Sequence, residues 1–243
     1  MKNLKRALSL VLSTAMMVGM MVVGTGAAFT DVDSNDNLEA IEVMNMIGVM
    51  EGTGEDTFEP DRVVTRNEMA VVICNLMDLK LNGAHPFTDV PAWADDYVGA
   101  MYINGLTSGT SATTYGGSAN VTTTEAALMV MKTLGYFEYQ GEFEDDWKLA
   151  TVKKATELEL FDDIDAGVND GLTRGEVAQL VLNALRLRVV NVHEEGGMSV
   201  EGNGISVTQK PSYTYKTSYN SLIEKLYDNT LTVDESGYYI DED

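Results

Sequence analysis

Leu38, Ile41, Met44 and Ile47 recur every third residue, which puts them on one face of a helix predicted over about 38–47. Stretches 94–104 and 148–159 are expected to form matching helices. Three further segments are apolar almost all round: Met69–Cys74, Ala126–Met131 and Val177–Leu182. Such helices are wholly buried, and three of them predict a shared core and a mainly α fold. From Val189 the pattern changes to alternation: Val189–His193, a turn at Glu194–Gly197, then Met198–Glu201 and Ile205–Thr208. This reads as a β-hairpin or small meander, followed by a short helix at 222–227 and an acidic, flexible end from Asp234. At the other end a basic start (Lys2, Lys5, Arg6) precedes an uncharged stretch from Ala7 to Thr30 with an apolar centre and small residues at Gly24–Ala28. That order describes a secretory signal peptide over 1–28.

The helical part repeats itself. Phe29-Thr30-Asp31-Val32 returns as Phe87-Thr88-Asp89-Val90, and Gly48–Gly52 aligns with Gly105–Gly109. Phe58 and Tyr115 each lie seven residues before a threonine, Thr65 and Thr122. Thr65–Glu68, Thr122–Glu125 and Thr173–Glu176 form one column, and Trp93 and Trp147 share another, where the first repeat has Asp36. The expected division is therefore repeat 1 at 29–82, repeat 2 at 83–140, repeat 3 at 141–188 and a β-rich tail at 189–243.

The Thr-x-x-Glu column has a local explanation. Threonine at the N-cap with glutamate three residues on is a capping box, so Thr65/Glu68, Thr122/Glu125 and Thr173/Glu176 are structural caps. Arg66 and Arg174 are not explained by capping, because they stand at the first helical position, where the helix dipole disfavours a cation. A helix start with free N–H groups and an adjacent arginine suits a carboxylate or phosphate. A pair with a nearby aspartate, Asp31 or Asp89, explains the arginines equally well. Cys74 aligns with Met131 and Leu182, which makes it a buried, inert thiol.

The 243-residue chain carries 38 acidic and 16 basic residues, a net charge of −22. This argues against nucleic acid and against charge-driven docking on anionic lipid. One cysteine and two histidines, His85 and His193, leave little material for a disulfide framework, a zinc site or a histidine-based triad. No Gly-rich phosphate loop or nucleophile elbow is present, and the acids fall in caps and turns, so the chain reads as a binder without a cofactor rather than an enzyme.

A Phe-x-Asp-Val entry, Trp-Ala or its equivalent, a Gly-x-x-x-Gly loop, Phe58-Glu59-Pro60-Asp61 and a Thr-Arg-x-Glu-like helix start follow in order, and several of them recur at consistent spacing over about 29–188. In this the chain resembles a triplet of S-layer homology domains. The resemblance implies a three-pronged, pseudo-threefold helical body that anchors non-covalently to the bacterial cell wall, secreted and held at the wall or S-layer surface. It also implies binding of a pyruvylated secondary cell-wall polysaccharide on peptidoglycan, in grooves between adjacent repeats, with S-layer subunits as further partners. Arg66 and Arg174 would then meet the pyruvyl carboxylate, Trp93 and Trp147 would face a sugar ring, Asp31 and Asp89 would accept from sugar hydroxyls, and Gly52 and Gly109 would let the backbone approach. Repeat 2 departs with Thr123 in place of the arginine, repeat 1 lacks the tryptophan, and repeat 3 offers only Phe143-Glu144-Asp145-Asp146 before Trp147. One or two competent grooves are expected. The alternatives are a calcium-dependent protein-docking module, for which Asp31, Asp33, Asn35 and Glu42 fall at calcium-loop spacing with Asp36 where glycine belongs, and a wall-sugar hydrolase.

Overall fold

The structure is a computed structural model and describes residues 29–32, 37–194, 198–201, 204–207, 212–227, 232–233 and 239–240. The signal peptide expected over 1–28 lies outside the described residues. Six helices carry the body: α1 (Leu38–Met46), α2 (Arg66–Met77), α3 (Asp95–Ile103), α4 (Thr123–Thr133), α5 (Trp147–Glu157) and α6 (Arg174–Leu185), with a single 3₁₀ turn at Gln140–Phe143. The fold is mainly helical; α1, α3 and α5 start and stop within two residues of the expected bounds, and α2, α4 and α6 begin directly after the expected cap threonines. No helix of the described residues is long and apolar enough to cross a membrane.

Local chemistry sets the helix ends. The N-cap threonines of α2, α4 and α6 each accept the backbone N–H of the glutamate three residues on, and each glutamate accepts the threonine N–H in return. The first helix of each repeat ends in one left-handed residue, Gly48 (φ 75°), Gly105 (φ 70°) and, without glycine, Glu159 (φ 56°). The residue after it turns back to its helix: Val49 N–H donates to the Met44 carbonyl, Leu106 to Met101 and Leu160 to Ala155, each at 2.9 Å. All three side chains are buried.

The residues just before the caps close a ring. Val64 N–H donates to the Leu172 carbonyl (2.9 Å), Leu172 N–H to Val121 (3.2 Å) and Val121 N–H to Val64 (2.9 Å). The three side chains are at most 1% exposed. Around it α4 packs on both α2 and α6.

The helices pair across repeats. α2 of repeat 1 packs on α3 of repeat 2, α4 of repeat 2 on α5 of repeat 3, and α6 of repeat 3 on α1 of repeat 1. Each helix pair is thus assembled from two repeats, and the last returns to the first.

The tail differs from its expected topology. β1 (Val190–Glu194) pairs antiparallel with β4 (Ser212–Tyr215), while β2 (Met198–Glu201) pairs with β3 (Gly204–Val207) as an inner hairpin. A hairpin between 189–193 and 198–201 is not formed. β1 and β4 instead dock on repeat 2: Val190 N–H donates to the Leu134 carbonyl at 2.9 Å, and Tyr213 of β4 packs edge-on against Tyr136 at 4.9 Å. α7 (Leu222–Tyr227) is seated through Leu222 and Ile223, at most 1% exposed. Of the acidic end only a strand at Tyr239–Ile240 is described, paired with Thr232–Val233.

Candidate functional site

The expected free N–H groups at the helix starts are absent, because each junction between repeats consumes them. The first N–H groups of α2, α4 and α6 donate to the carbonyls of Ala119, Asp170 and Arg62, and the second ones to Gly117, Val168 and Pro60, all at 2.9–3.1 Å. The third are held by the capping threonines. Every second helix therefore docks its N-terminus on the loop of the next repeat, and repeat 3 docks on repeat 1. What varies is the side chains at the seam.

At the junction of repeats 1 and 2, Arg66 is 5% exposed. Its Nε donates to the Tyr115 carbonyl (3.3 Å), its guanidinium lies 5.1 Å from the Tyr115 ring centre, and Nη1 pairs with Glu125 Oε1 at 3.1 Å. Tyr115 OH donates back to the Arg66 carbonyl at 3.0 Å. Next to it Asn67 is buried, its Oδ1 without a partner among the described residues, and it presses on Gly117, where a Cβ has no room. This seam is closed.

At the junction of repeats 2 and 3 both members of that pair are missing. Thr123 replaces the arginine and Ala166 replaces the aromatic. The Thr123 hydroxyl donates to the Gly167 (2.9 Å) and Asp170 (3.3 Å) carbonyls and is fully buried. The arginine and its ring are absent together at this junction.

At the junction of repeats 3 and 1, Arg174 stacks 4.4 Å from the centre of the Phe58 ring. Its Nε donates to the Phe58 carbonyl (2.7 Å) and Nη2 to the Glu51 carbonyl (2.6 Å). It is only half-buried, and no carboxylate among the described residues forms an ion pair with it. Burial, and then the field of Arg62, hold its pKa below the ordinary guanidinium value against the opposing fields of Glu68, Glu59 and Asp31. A cation disfavoured by its surroundings, with part of its surface in solvent, is suited to an anion. Neither arginine forms the ion pair with Asp31 or Asp89 that the sequence allowed.

Those aspartates hold the loops. Asp31 accepts the N–H groups of Phe58 (2.9 Å) and Glu59 (2.7 Å), and Asp89 accepts those of Tyr115 and Gly116, both at 2.8 Å. The Tyr115 amide first, and then that of Gly116, keep the Asp89 carboxyl below its usual range. For Asp31 burial pushes up, but the Phe58 and Glu59 amides outweigh it. Repeat 3 lacks the aspartate, and there the capping Glu176 takes over, accepting Ala166 N–H at 2.9 Å. The loop glycines are equally local. A Cβ on Gly52 would meet Phe29 at 2.7 Å, and one on Gly109 (φ 72°) would meet Phe87 and the Thr114 carbonyl at 2.6 Å.

Trp93 and Trp147 stand at the starts of α3 and α5, 57% and 37% exposed. Lys148 lies over the Trp147 ring at 5.7 Å. The calcium reading gains no support: Asp33 and Asn35 lie outside the described residues, Asp31 is turned to backbone amides, and no group of three metal-ligating side chains occurs among the described residues. Cys74 is buried, donates to the Tyr97 carbonyl (3.4 Å) and has its pKa pushed up to about 12 by burial. Sequence reasoning missed Arg62 and the role of Phe58 and Tyr115 as arginine platforms, although the seven-residue offset of both rings from the caps was visible.

The S-layer homology domain profile matches residues 28–70 and 86–127. The chain is 26% identical over 227 residues to a cell surface protein of Thermoanaerobacter kivui, covering 88% of this chain and 29% of that protein. It is 32% identical over 106 residues to a surface-layer 125 kDa protein of Lysinibacillus sphaericus (43% of this chain, 9% of that one). To a middle cell wall protein of Brevibacillus brevis it is 24% identical over 200 residues (79% and 18%). The chain spans less than a third of the length of these relatives. The third repeat lies outside the profile match yet carries the same cap, the same turn and its share of the central ring. The motifs and the profile agree that residues 28–70 and 86–127 are S-layer homology segments, and the relatives the chain resembles are surface, surface-layer and cell wall proteins.

Proposed function

We propose that the chain is a non-covalent anchor to the cell wall, and that it grips an acidic, pyruvylated wall polysaccharide at the junction of repeats 3 and 1. The observation that carries this reading is Arg174: half-exposed, fixed in plane by the Phe58 ring and two backbone carbonyls, and without a carboxylate partner. A guanidinium so held offers its remaining N–H donors in a fixed geometry, which suits a carboxylate. Trp93 and Trp147 offer exposed apolar faces of the kind sugar rings stack on. A leader over 1–28, repeats at 29–82, 83–140 and 141–188 and a tail from 189 belong to the same proposal, as does assembly with S-layer subunits.

The chain's net charge of −22 opposes an anionic polymer at long range. Recognition therefore rests on short-range contacts, and salt that screens the background leaves binding unchanged or strengthens it. The test is a pull-down on purified cell-wall sacculi, with folding of each variant checked by circular dichroism. Arg174→Ala is expected to abolish binding and Arg66→Ala to act only through stability. Binding that survives Arg174→Ala in a folded protein overturns the site. Binding that survives removal of pyruvate by mild acid overturns the ligand. Loss on calcium chelation with pyruvate intact favours a calcium-dependent docking module, and release of reducing sugar favours a hydrolase.

A further inference from the structure

The three capping glutamates are chemically alike, yet they end on three different partners. In each, Oε2 closes the capping box on its own threonine. Oε1 is left over. Glu125 gives it to Arg66 across the junction of repeats 1 and 2 (3.1 Å), and Glu176 gives it to the Ala166 amide (2.9 Å). By the same threefold relation the partner of Glu68 across the junction of repeats 3 and 1 is Arg174. Glu68 Oε1 instead pairs with Arg62 Nη1 at 2.8 Å, and Arg62 is held in turn by Glu59, Nε to Oε2, at 2.9 Å. The positions equivalent to Arg62, three residues before the other caps, are Ala119 and Asp170, which cannot compete for a carboxylate. Burial raises the pKa of Glu68, but the Thr65 amide and hydroxyl and Arg62 together bring it below the usual range, so it is an ionised competitor.

We propose that Arg62 is a positioning residue that keeps the repeat 3–repeat 1 groove open to an acidic ligand, by holding Glu68 away from Arg174. The inference rests on the reading of Arg174 as the ligand's cation. It explains why two arginines in one motif column differ: Arg66 is neutralised by its neighbour's cap, and Arg174 escapes because its neighbour's cap is already engaged. Arg62 acts through another residue and needs no contact with the ligand.

Two readouts on the full chain separate the device from the wall reading. The first needs no ligand. A double-mutant cycle on urea stability between Arg174 and Glu68 (Arg174→Lys, Glu68→Gln) is expected to show no coupling with Arg62 present and a clear coupling in the Arg62→Ala background. Glutamine still serves the capping box. An equal coupling in both backgrounds overturns the proposal. The second is affinity for sacculi. Arg62→Ala is expected to weaken it about tenfold, the scale of one charge-assisted hydrogen bond, and Arg62→Ala/Glu68→Gln to restore it, because the competitor is then neutral. If the double variant stays as weak as Arg62→Ala, Arg62 acts by its own charge and the proposal falls. If the intact chain does not bind sacculi while the coupling appears as expected, the wall reading falls and the device stands.

Discussion

Removing repeat 3 should unfold repeat 1, although the two are the most distant repeats in sequence. α1 has its apolar face, Ala40, Ile41, Val43 and Met44, at or below 2% exposed, and that face packs on α6 of repeat 3. Fully burying a Val, Ile or Met side chain contributes about 1.5–3 kcal/mol, and an alanine methyl about 0.8. Stripping α6 away therefore forfeits about 5–10 kcal/mol, an upper figure because part of the face can re-cover itself. A domain of this size is stable by about 5–15 kcal/mol in all. A fragment of residues 29–140 holds both repeats that match the family profile and still lacks the partner of its first helix and two sides of the central ring. Urea denaturation followed by circular dichroism, comparing 29–140 with 29–227, is expected to show no cooperative transition for the fragment. Adding 141–227 in trans is expected to restore one. A monomeric 29–140 that unfolds cooperatively at nearly the midpoint of the longer chain would refute the exchange of helices between repeats.

Three further outcomes follow from single side chains. Thr123→Val keeps the shape of a fully buried residue but removes its bonds to the Gly167 and Asp170 carbonyls, and it should lower stability by about 1 kcal/mol with an unchanged urea slope. Asp89 has a native pKa below its unfolded value near 3.9, so its stabilising contribution is complete above that pH and is lost as pH falls through the lowered native pKa. Asp89→Asn should flatten the pH dependence of the urea midpoint below about pH 4; an unchanged slope would show that the carboxylate does not hold the loop. Cys74 should resist a thiol reagent at pH 8 in the native chain and react at once in denaturant, and fast native labelling would contradict its burial.

The helix starts could be read from sequence because a capping box is a contact over three residues, as in Thr65 with Glu68. The turn after each first helix was equally local and showed as Gly48 and Gly105; at Glu159 the same left-handed position is filled without the usual signal. The pairing of helices between repeats was not legible, since periodicity marks a buried face but does not name what covers it. The same holds for the tail. A turn at 194–197 suggests neighbouring strands, and only the docking of β1 on repeat 2 shows that its partner is β4. At the site, the arginine column was visible and its inequality was not. That Arg66 and Arg174 differ depends on which neighbour engages a glutamate's second oxygen, a choice made by Arg62 and by its absence at Ala119.

The ring of Val64, Leu172 and Val121 bears on how such a body can be enlarged. A solenoid grows by adding units at its ends, because each unit meets only its neighbours and the ends stay available. Here every donor in the ring already has its acceptor, and the last repeat is spent on the first. There is no end to extend, so further repeats in one polypeptide must come as a second closed set rather than as a fourth member of this one.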